Sequence, residues 1–305
     1  MRICIAGLGG VGGYFGGRLA AAYSASSEHE ICFLCRGEHM ESIQKKGLKV
    51  TTPHESFIAH PHIISDCPQE IGLVDVIFFA VKGYDLPSLA KSVYPLCHDK
   101  TLLIPLGNGV DNVDILQKEK LTGIPFNGCV YISAYIESPG VIRQVGGSCK
   151  MVVGPLDRDI EKHLPFENMM KNAGILFELV KDIDRAVWTK FIFMSPMAIV
   201  TTLKAENFGT VLSAKTSRDL VVDLMKEICY LAKKRNVALP DDAVAKALAQ
   251  AESFPPHTRS SMELDASKGR STELETFVGA VVRLAQDEGI SLPVYERVYE
   301  ELLKM

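Results

Sequence analysis

The chain has 305 residues, of which 47% are hydrophobic and 23% charged, and its formal net charge is −4. This length allows two domains with separate cores, and the composition is that of an ordinary globular protein. The weakly acidic balance excludes a global basic field that would recruit nucleic acid or an anionic membrane, so local cations would have to hold any anionic ligand.

The first element is a predicted strand, residues 2–6, followed by a G-x-G-x-x-G turn. Gly7 permits the tight turn, Gly9 lets the backbone approach a pyrophosphate, and Gly12 allows the next helix to pack on the strand. The phosphates would lie at the N-terminus of a helix over 11–24. A purely structural turn is the alternative. The predicted dinucleotide site comprises Gly7, Leu8, Gly9, Gly10, Val11 and Gly12.

The second strand, 30–35, is followed directly by Arg36. An NAD-binding unit ends this strand with Asp or Glu, which accepts hydrogen bonds from ribose hydroxyls. An arginine cannot accept them, but its guanidinium suits a 2′-phosphate, so Arg36 favours NADP(H). Lys82 ends the strand 74–82, at the edge where doubly wound sheets bind ligands. Either cation could instead be an ordinary exposed residue.

Strands and helices alternate through the first half of the chain, which predicts a parallel sheet built from βαβ units. Segments 128–136 and 141–153 predict a hairpin that extends this sheet. From 184 to 305 the periodicity is helical, with breaks at prolines 240, 255, 256 and 293. We therefore expect an α/β fold, with a Rossmann-type doubly wound parallel sheet domain over 1–182 and an all-helical domain over 183–305. The other predicted elements are helices 38–46 and 86–94 and strands around 48–64 and at 101–106.

Eight cysteines are scattered along the sequence without secretory features, which predicts reduced thiols. The eight histidines include no metal-ligand spacing, so no metal site is expected. No unbroken apolar run approaches the roughly 18 to 20 residues of a membrane span, and the first strand occupies the place of a signal peptide. These features predict a cytoplasmic protein without membrane contact.

Three further features are predicted to point into a cleft between the two domains, over the nicotinamide end of the cofactor. They are Asn108 after the strand 101–106, Lys190 early in the first helix of the second domain, and segment 260–265 with Glu273 beyond it. Hydride transfer to a carbonyl needs a group that protonates the oxygen, and a desolvated lysine can be that general acid. Taken alone, Lys190 is more readily interpreted as a solvated helix lysine.

Together these motifs resemble the ketopantoate reductase (2-dehydropantoate 2-reductase) family along the whole chain. The resemblance implies that Lys190 is the catalytic acid and that Glu273 positions it and meets cofactor or substrate. It also implies that Asn108 and Ser261 help to bind cofactor and substrate, while Arg36 and Lys82 hold the adenylate end of NADPH. The implied reaction is reduction of 2-dehydropantoate to (R)-pantoate by NADPH, a step toward pantothenate and coenzyme A.

One departure from the family pattern concerns the substrate. The family carries asparagines four and eight residues after the lysine, and this chain has Met194 and Ala198 there, on the same helix face. The family's later Asn-Gly pair is present only loosely, as Asn207-Phe-Gly209. Three interpretations are open: a ketopantoate reductase, an NADPH-dependent reductase of another branched or more apolar 2-oxo acid, and a non-catalytic NADP(H) sensor. The partner is a small 2-oxo acid, and a homodimer is one candidate assembly.

Overall fold

The computed structural model describes all residues, 1–305, and divides into two compact units. The first unit comprises Met1–Gly107 and Asn112–Ile183, and the second comprises Asn108–Asp111 and Asp184–Met305. The four residues Asn108–Asp111 therefore belong to the second unit, although the sequence on both sides of them belongs to the first.

The first unit is a sheet covered by helices. Its strands are β1 Arg2–Ala6, β2 Glu30–Leu34, β3 Leu48–Thr51, β4 Ser56–Ala59, β5 Ile63–Ser65, β6 Val76–Phe79, β7 Leu102–Pro105, β8 Ile124–Ser138, β9 Val141–Pro155 and β10 Leu176–Leu179. Its helices are α1 Gly10–Ala22, α2 Gly37–Lys46, α3 Pro68–Ile71, α4 Leu86–Ser92, α5 Asn112–Lys118 and α6 Leu164–Asn172. Alternate residues of β1 enter different buried clusters, with Ile3 and Ile5 in one and Cys4 and Ala6 in the other, because successive strand residues face opposite sides.

The strand order explains the position of the glycine-rich turn. Strands β5-β2-β1-β6-β7-β8 are neighbours in that order and all parallel, which is the 3-2-1-4-5-6 order of dinucleotide-binding sheets. The predicted fold class is confirmed. The sheet continues as a mixed one, because β9 runs antiparallel to β8, and β3 and β10 each pair with β9 in parallel. Strand β4 adds antiparallel to β3, far from β5.

The second unit is helical, as predicted. Its helices are α7 Ile183–Lys204, of which Ile183 belongs to the first unit, α8 Phe208–Ser213, α9 Lys215–Lys234, α10 Ala243–Glu252, α11 Ser261–Ala266, a π-helical turn Glu275–Gly279, α12 Ala280–Asp287 and α13 Pro293–Leu302. The predicted breaks are present, because α10 ends before the Pro255-Pro256 pair and Pro293 is the first residue of α13. Proline fits the first position of a helix, because the backbone N–H that it lacks would have no hydrogen-bond partner within the helix.

Helix α7 is apolar over nearly its whole length, and by length and composition it could cross a membrane. However, 72% of its apolar window is buried inside the protein, and Phe191, Ile192, Ile199 and Val200 are at most 1% exposed. A helix that is hydrophobic on all sides is typical of a buried core helix. Its apolar character is therefore explained by packing.

Candidate functional site

The glycine-rich turn connects β1 to α1 and has no room for a side chain at Gly7, Gly10 or Gly12. A Cβ on Gly10 would overlap the carbonyl oxygen of Ala134. Gly7 has φ +98°, and a Cβ there would lie 2.6 Å from Val81 Cγ1 and 2.9 Å from the carbonyl oxygen of Ala80. A Cβ on Gly12 would overlap the carbonyl oxygen of Gly7. The turn is thus as tight as its motif predicts, because strand, turn and helix approach one another without room for side chains.

Gly9 differs from these three glycines, because open space surrounds the place where its Cβ would be. It is the N-cap of α1, has φ −68°, and no side chain caps the helix. The first turn of α1 also contains no acidic residue. A phosphate group fits this helix end, because the first N–H groups of a helix and the positive end of its dipole attract anions. We call the open space at Gly9 the cradle. The residues present therefore fit the pyrophosphate of a dinucleotide.

Arg36 and Lys82 lie at the same edge of the sheet as this turn. The N–H of Gly7 donates to Leu34 O at 3.0 Å, and Arg36 follows two residues later, exposed at the N-cap of α2. On the other side the N–H of Ala80 donates to the carbonyl oxygen of the last β1 residue at 2.8 Å, and partly buried Lys82 follows. The turn follows β1, Arg36 follows β2 and Lys82 follows β6, and these three strands are parallel neighbours. Ligands of doubly wound sheets bind at this edge, beside the first strand, where the strand order changes direction.

Lys190 lies in the second turn of α7 and belongs to the second unit. It is only 8% exposed, and its Nζ donates to Asn108 Oδ1 at 3.0 Å. A solvated helix lysine would be far more exposed, so that alternative does not fit. A buried ammonium needs hydrogen-bond acceptors, and the amide oxygen of Asn108 is one of them. The structure therefore brings together two predicted site residues that are 82 positions apart.

Met194 and Ala198 follow Lys190 on α7 at spacings of four and eight residues. Met194 is partly exposed, whereas Ala198 is 3% exposed. The carbonyl oxygen of Ala198 accepts hydrogen bonds from the hydroxyls of Thr201 at 3.2 Å and Thr202 at 2.7 Å. Met194 thus offers the larger accessible apolar surface of the two.

Ser261 is the first residue of α11 and is exposed. The neighbouring Ser260 makes the contacts that fix this helix, because its Oγ accepts from the N–H of Glu263 at 3.1 Å and lies 2.7 Å from Thr201 Oγ1 on α7. Ser260 therefore caps α11 and ties it to the helix that carries Lys190.

Glu273 is 2% exposed and lies two residues before the π-helical turn. Its carbonyl oxygen accepts from the N–H groups of Thr276 at 3.0 Å and Phe277 at 2.9 Å. Single π-turns occur frequently at functional sites. The sequence predicted Glu273 but not this backbone irregularity beside it.

The sequence analysis missed two charged residues beside this set. Asp111 is 9% exposed, and its Oδ2 lies 3.6 Å from a guanidinium nitrogen of Arg283 on α12. Neither residue belongs to a motif, so no local pattern could have indicated the pair.

Comparisons with known proteins identify the family to which the chain belongs. The family model described as "Ketopantoate reductase PanE/ApbA" matches residues 3–158, and its C-terminal counterpart matches residues 182–305. An uncharacterized oxidoreductase of Bacillus subtilis, YkpB, is 27% identical over 99% of this chain and 98% of its own length. The crystal structure of 2-dehydropantoate 2-reductase from Porphyromonas gingivalis superposes with a TM-score of 0.85 at 29% identity, covering 99% of both chains.

A ternary structure of D-mandelate dehydrogenase with NADH and anilino(oxo)acetate superposes with a TM-score of 0.84. It covers 98% of this chain and 96% of its own, and at 22% identity it shows a shared fold alone. The two family models span nearly the whole sequence, one over each half. The chain therefore belongs to the ketopantoate reductase family of oxidoreductases.

Proposed function

We propose that this protein reduces a 2-oxo acid with NADPH and that Lys190 donates the proton, with 2-dehydropantoate as the first candidate substrate. The single observation that carries the proposal is the buried Lys190 with its Nζ 3.0 Å from Asn108 Oδ1. With that substrate the reaction is a step toward pantothenate and coenzyme A, and we propose that it takes place in the cytoplasm.

The roles of the residues follow from their chemistry. NADPH, when bound, supplies the hydride to the carbonyl carbon. Asn108 Oδ1 accepts a hydrogen bond from the ammonium of Lys190 and so orients it, and we assign to this ammonium the proton that the substrate oxygen takes up. Proton donation to the developing alkoxide by a positioned group is worth roughly 10² to 10⁴ in rate. Glu273, buried beside the π-helical turn, is assigned the role of holding the lysine.

The cofactor is assigned to the turn at residues 7–12, with Arg36 and Lys82 beside it. The open cradle at Gly9 takes the pyrophosphate, and the exposed guanidinium of Arg36 takes the 2′-phosphate. NADPH rather than NADH is the expected cofactor because Arg36 follows the second strand in the place of a carboxylate.

Replacing Arg36 with alanine should erode the preference for NADPH over NADH at least about tenfold, because each charge-assisted bond to the 2′-phosphate contributes ~1.5 to 3 kcal/mol. The measurement is kcat/KM with both cofactors. Arg297→Ala, which removes an exposed arginine on α13, is the control and should leave the ratio unchanged. Equal efficiency with NADPH and NADH in the unmutated protein would contradict the assignment.

A second candidate substrate is a hydroxyl-free branched 2-oxo acid, and the apolar side chain of Met194 favours it. The deciding experiment follows NADPH oxidation over a panel that includes 2-dehydropantoate and 2-oxoisovalerate. Higher kcat/KM for 2-dehydropantoate supports the first candidate, whereas higher kcat/KM for 2-oxoisovalerate supports the second. Absence of turnover with every acid would favour an NADP(H)-binding sensor.

Introducing asparagine at positions 194 and 198 should raise kcat/KM for 2-dehydropantoate relative to 2-oxoisovalerate. One hydrogen bond to a neutral group is worth about 0.5 to 1.5 kcal/mol, which corresponds to a gain of roughly two- to tenfold. Because Ala198 is buried, Met194→Asn alone is the cleaner variant, and Met194→Leu is its apolar control. An unchanged ratio in Met194→Asn would show that this helix face does not meet the substrate.

A further inference from the structure

The segment Asn108–Asp111 is short, and side chains at both of its ends contact helices of the second unit. At one end Asn108 accepts from Lys190 Nζ at 3.0 Å. At the other end the carboxylate of Asp111 lies 3.6 Å from Arg283 Nη2. Two residues separate these contacts, so the position of Asp111 constrains where the amide of Asn108 can be.

Arg283 is itself held by Glu275, and Tyr299 in turn holds Glu275. Arg283 Nη1 donates to Glu275 Oε2 at 2.6 Å, and Tyr299 OH donates to Glu275 Oε1 at 2.5 Å. The hydrogen bond to Glu275 raises the pKa of the Tyr299 hydroxyl, which keeps it a donor. The guanidinium of Arg283 is therefore fixed between Glu275 and Asp111, on two different segments of the chain.

The helix backbone leaves room for the pair of Glu275 and Arg283. These residues are eight positions apart, and Gly279 lies midway between them. A Cβ at Gly279 would overlap the carboxylate of Glu275 and lie 3.0 Å from Arg283 Nη1. Arg283 and Glu275 are about half exposed, and such surface pairs contribute little to stability. The ion pair of Glu275 and Arg283 therefore matters more for the position of the guanidinium than for the free energy of unfolding.

We propose that Arg283 is a positioning residue for Lys190, acting through Asp111 and Asn108. By holding Asp111, Arg283 keeps the Asn108–Asp111 segment in the conformation in which Asn108 Oδ1 accepts from Lys190 Nζ. Glu275 supports it by holding the guanidinium, and Tyr299 supports it by holding the carboxylate of Glu275. The inference rests on the proposed role of Lys190 as proton donor, and it adds how that donor is oriented.

The test compares Arg283→Ala with Arg283→Lys and with Arg218→Ala. Arg218 is the matched control, because it is also a partly exposed ion-paired arginine of the helical unit, with Nη1 2.6 Å from Glu252 Oε1. Amide hydrogen exchange at residues 109–111 should accelerate at least about tenfold in Arg283→Ala, because the segment loses the contact between Asp111 and Arg283. Arg218→Ala should leave this exchange unchanged, and Arg283→Lys should lie between the two.

The same variants are assayed for turnover. In Arg283→Ala, kcat should fall roughly tenfold with NADPH affinity unchanged, because small misplacements of a catalytic group are costly. Asp111→Asn should reproduce both effects, and the double variant should add nothing further since the two residues act on one segment. Asp111→Asn changes few atoms, so it also decides the matter if Arg283→Ala fails to fold.

Two results would overturn the inference: unchanged exchange at residues 109–111 in Arg283→Ala and Asp111→Asn, or faster exchange with kcat unaltered. Failure of the proposed function has a different signature. If the unmutated protein reduces none of the acids in the panel, the role of Lys190 as proton donor falls, and the inference about its orientation falls with it, whatever the exchange shows. If the unmutated protein reduces a 2-oxo acid, and the variants show unchanged kcat and unchanged amide hydrogen exchange, only the proposed role of Arg283 is wrong.

Discussion

Replacement of Lys190 by alanine should lower kcat for the 2-oxo acid by roughly 10² to 10⁴, the usual contribution of a positioned proton donor. The helical unit should keep its fold, because truncation removes a buried ammonium, which is costly to desolvate, and the amide oxygen of Asn108 can find a new partner. The measurement is steady-state NADPH oxidation at saturating substrate, together with thermal unfolding of both proteins.

The control is Lys204→Ala, which removes an exposed lysine from the last turn of the same helix. It should leave kcat unchanged. NADPH affinity should change little in either variant, because the lysine serves the carbonyl and not the adenylate end. If the Lys190→Ala protein keeps more than about a third of the turnover of the unmutated protein, Lys190 is not the proton donor.

Gly9→Ala should raise the Kd for NADPH at least about tenfold without changing the melting temperature, because the methyl group would occupy the cradle rather than any protein contact. The φ of −68° at Gly9 is one that alanine adopts without strain. This substitution should therefore change the Kd for NADPH and not the free energy of unfolding. The measurement is NADPH titration by fluorescence, with thermal unfolding of the cofactor-free protein.

Gly12→Ala is the matched comparison for Gly9→Ala. An added Cβ at Gly12 would overlap the carbonyl oxygen of Gly7, so this variant should lose stability as well as affinity. A Gly9→Ala protein that binds NADPH with unchanged affinity would contradict the placement of the pyrophosphate at this turn.

Local sequence patterns predicted most of the strands of the first unit, but they missed helices α3, α5 and α6 and could not predict every strand partner. The region 48–64 shows the limit. It was predicted only as strands, and the structure sends β3 and β4 to one end of the sheet and β5 to the other, beside β2. A two-residue periodicity indicates that a strand has a buried face, whereas its neighbour is set by long-range packing. Strand β10, which pairs with β9, was not predicted as a strand at all.

The candidate site was predictable where a motif fixes a position in the fold. The turn at residues 7–12 and Arg36 follow strands whose ends must meet at one edge, so their placement could be inferred. The burial of Lys190 could not, because α7 is apolar on all sides and its periodicity does not distinguish inner from outer faces. Arg283 and Asp111 were invisible because they are ordinary charged residues that only the folded chain brings together.

The chain passes between the two units three times, since Asn108–Asp111 joins the helical unit in the middle of the sheet unit's sequence. This has a consequence for protein engineering. A fragment starting at Asp184 would contain Lys190 but not the amide that accepts its hydrogen bond, and it would leave Arg283 without Asp111. Chimaeras that exchange helical halves between relatives must therefore transplant Asn108–Asp111 together with the C-terminal part, or they will separate the lysine from its acceptor.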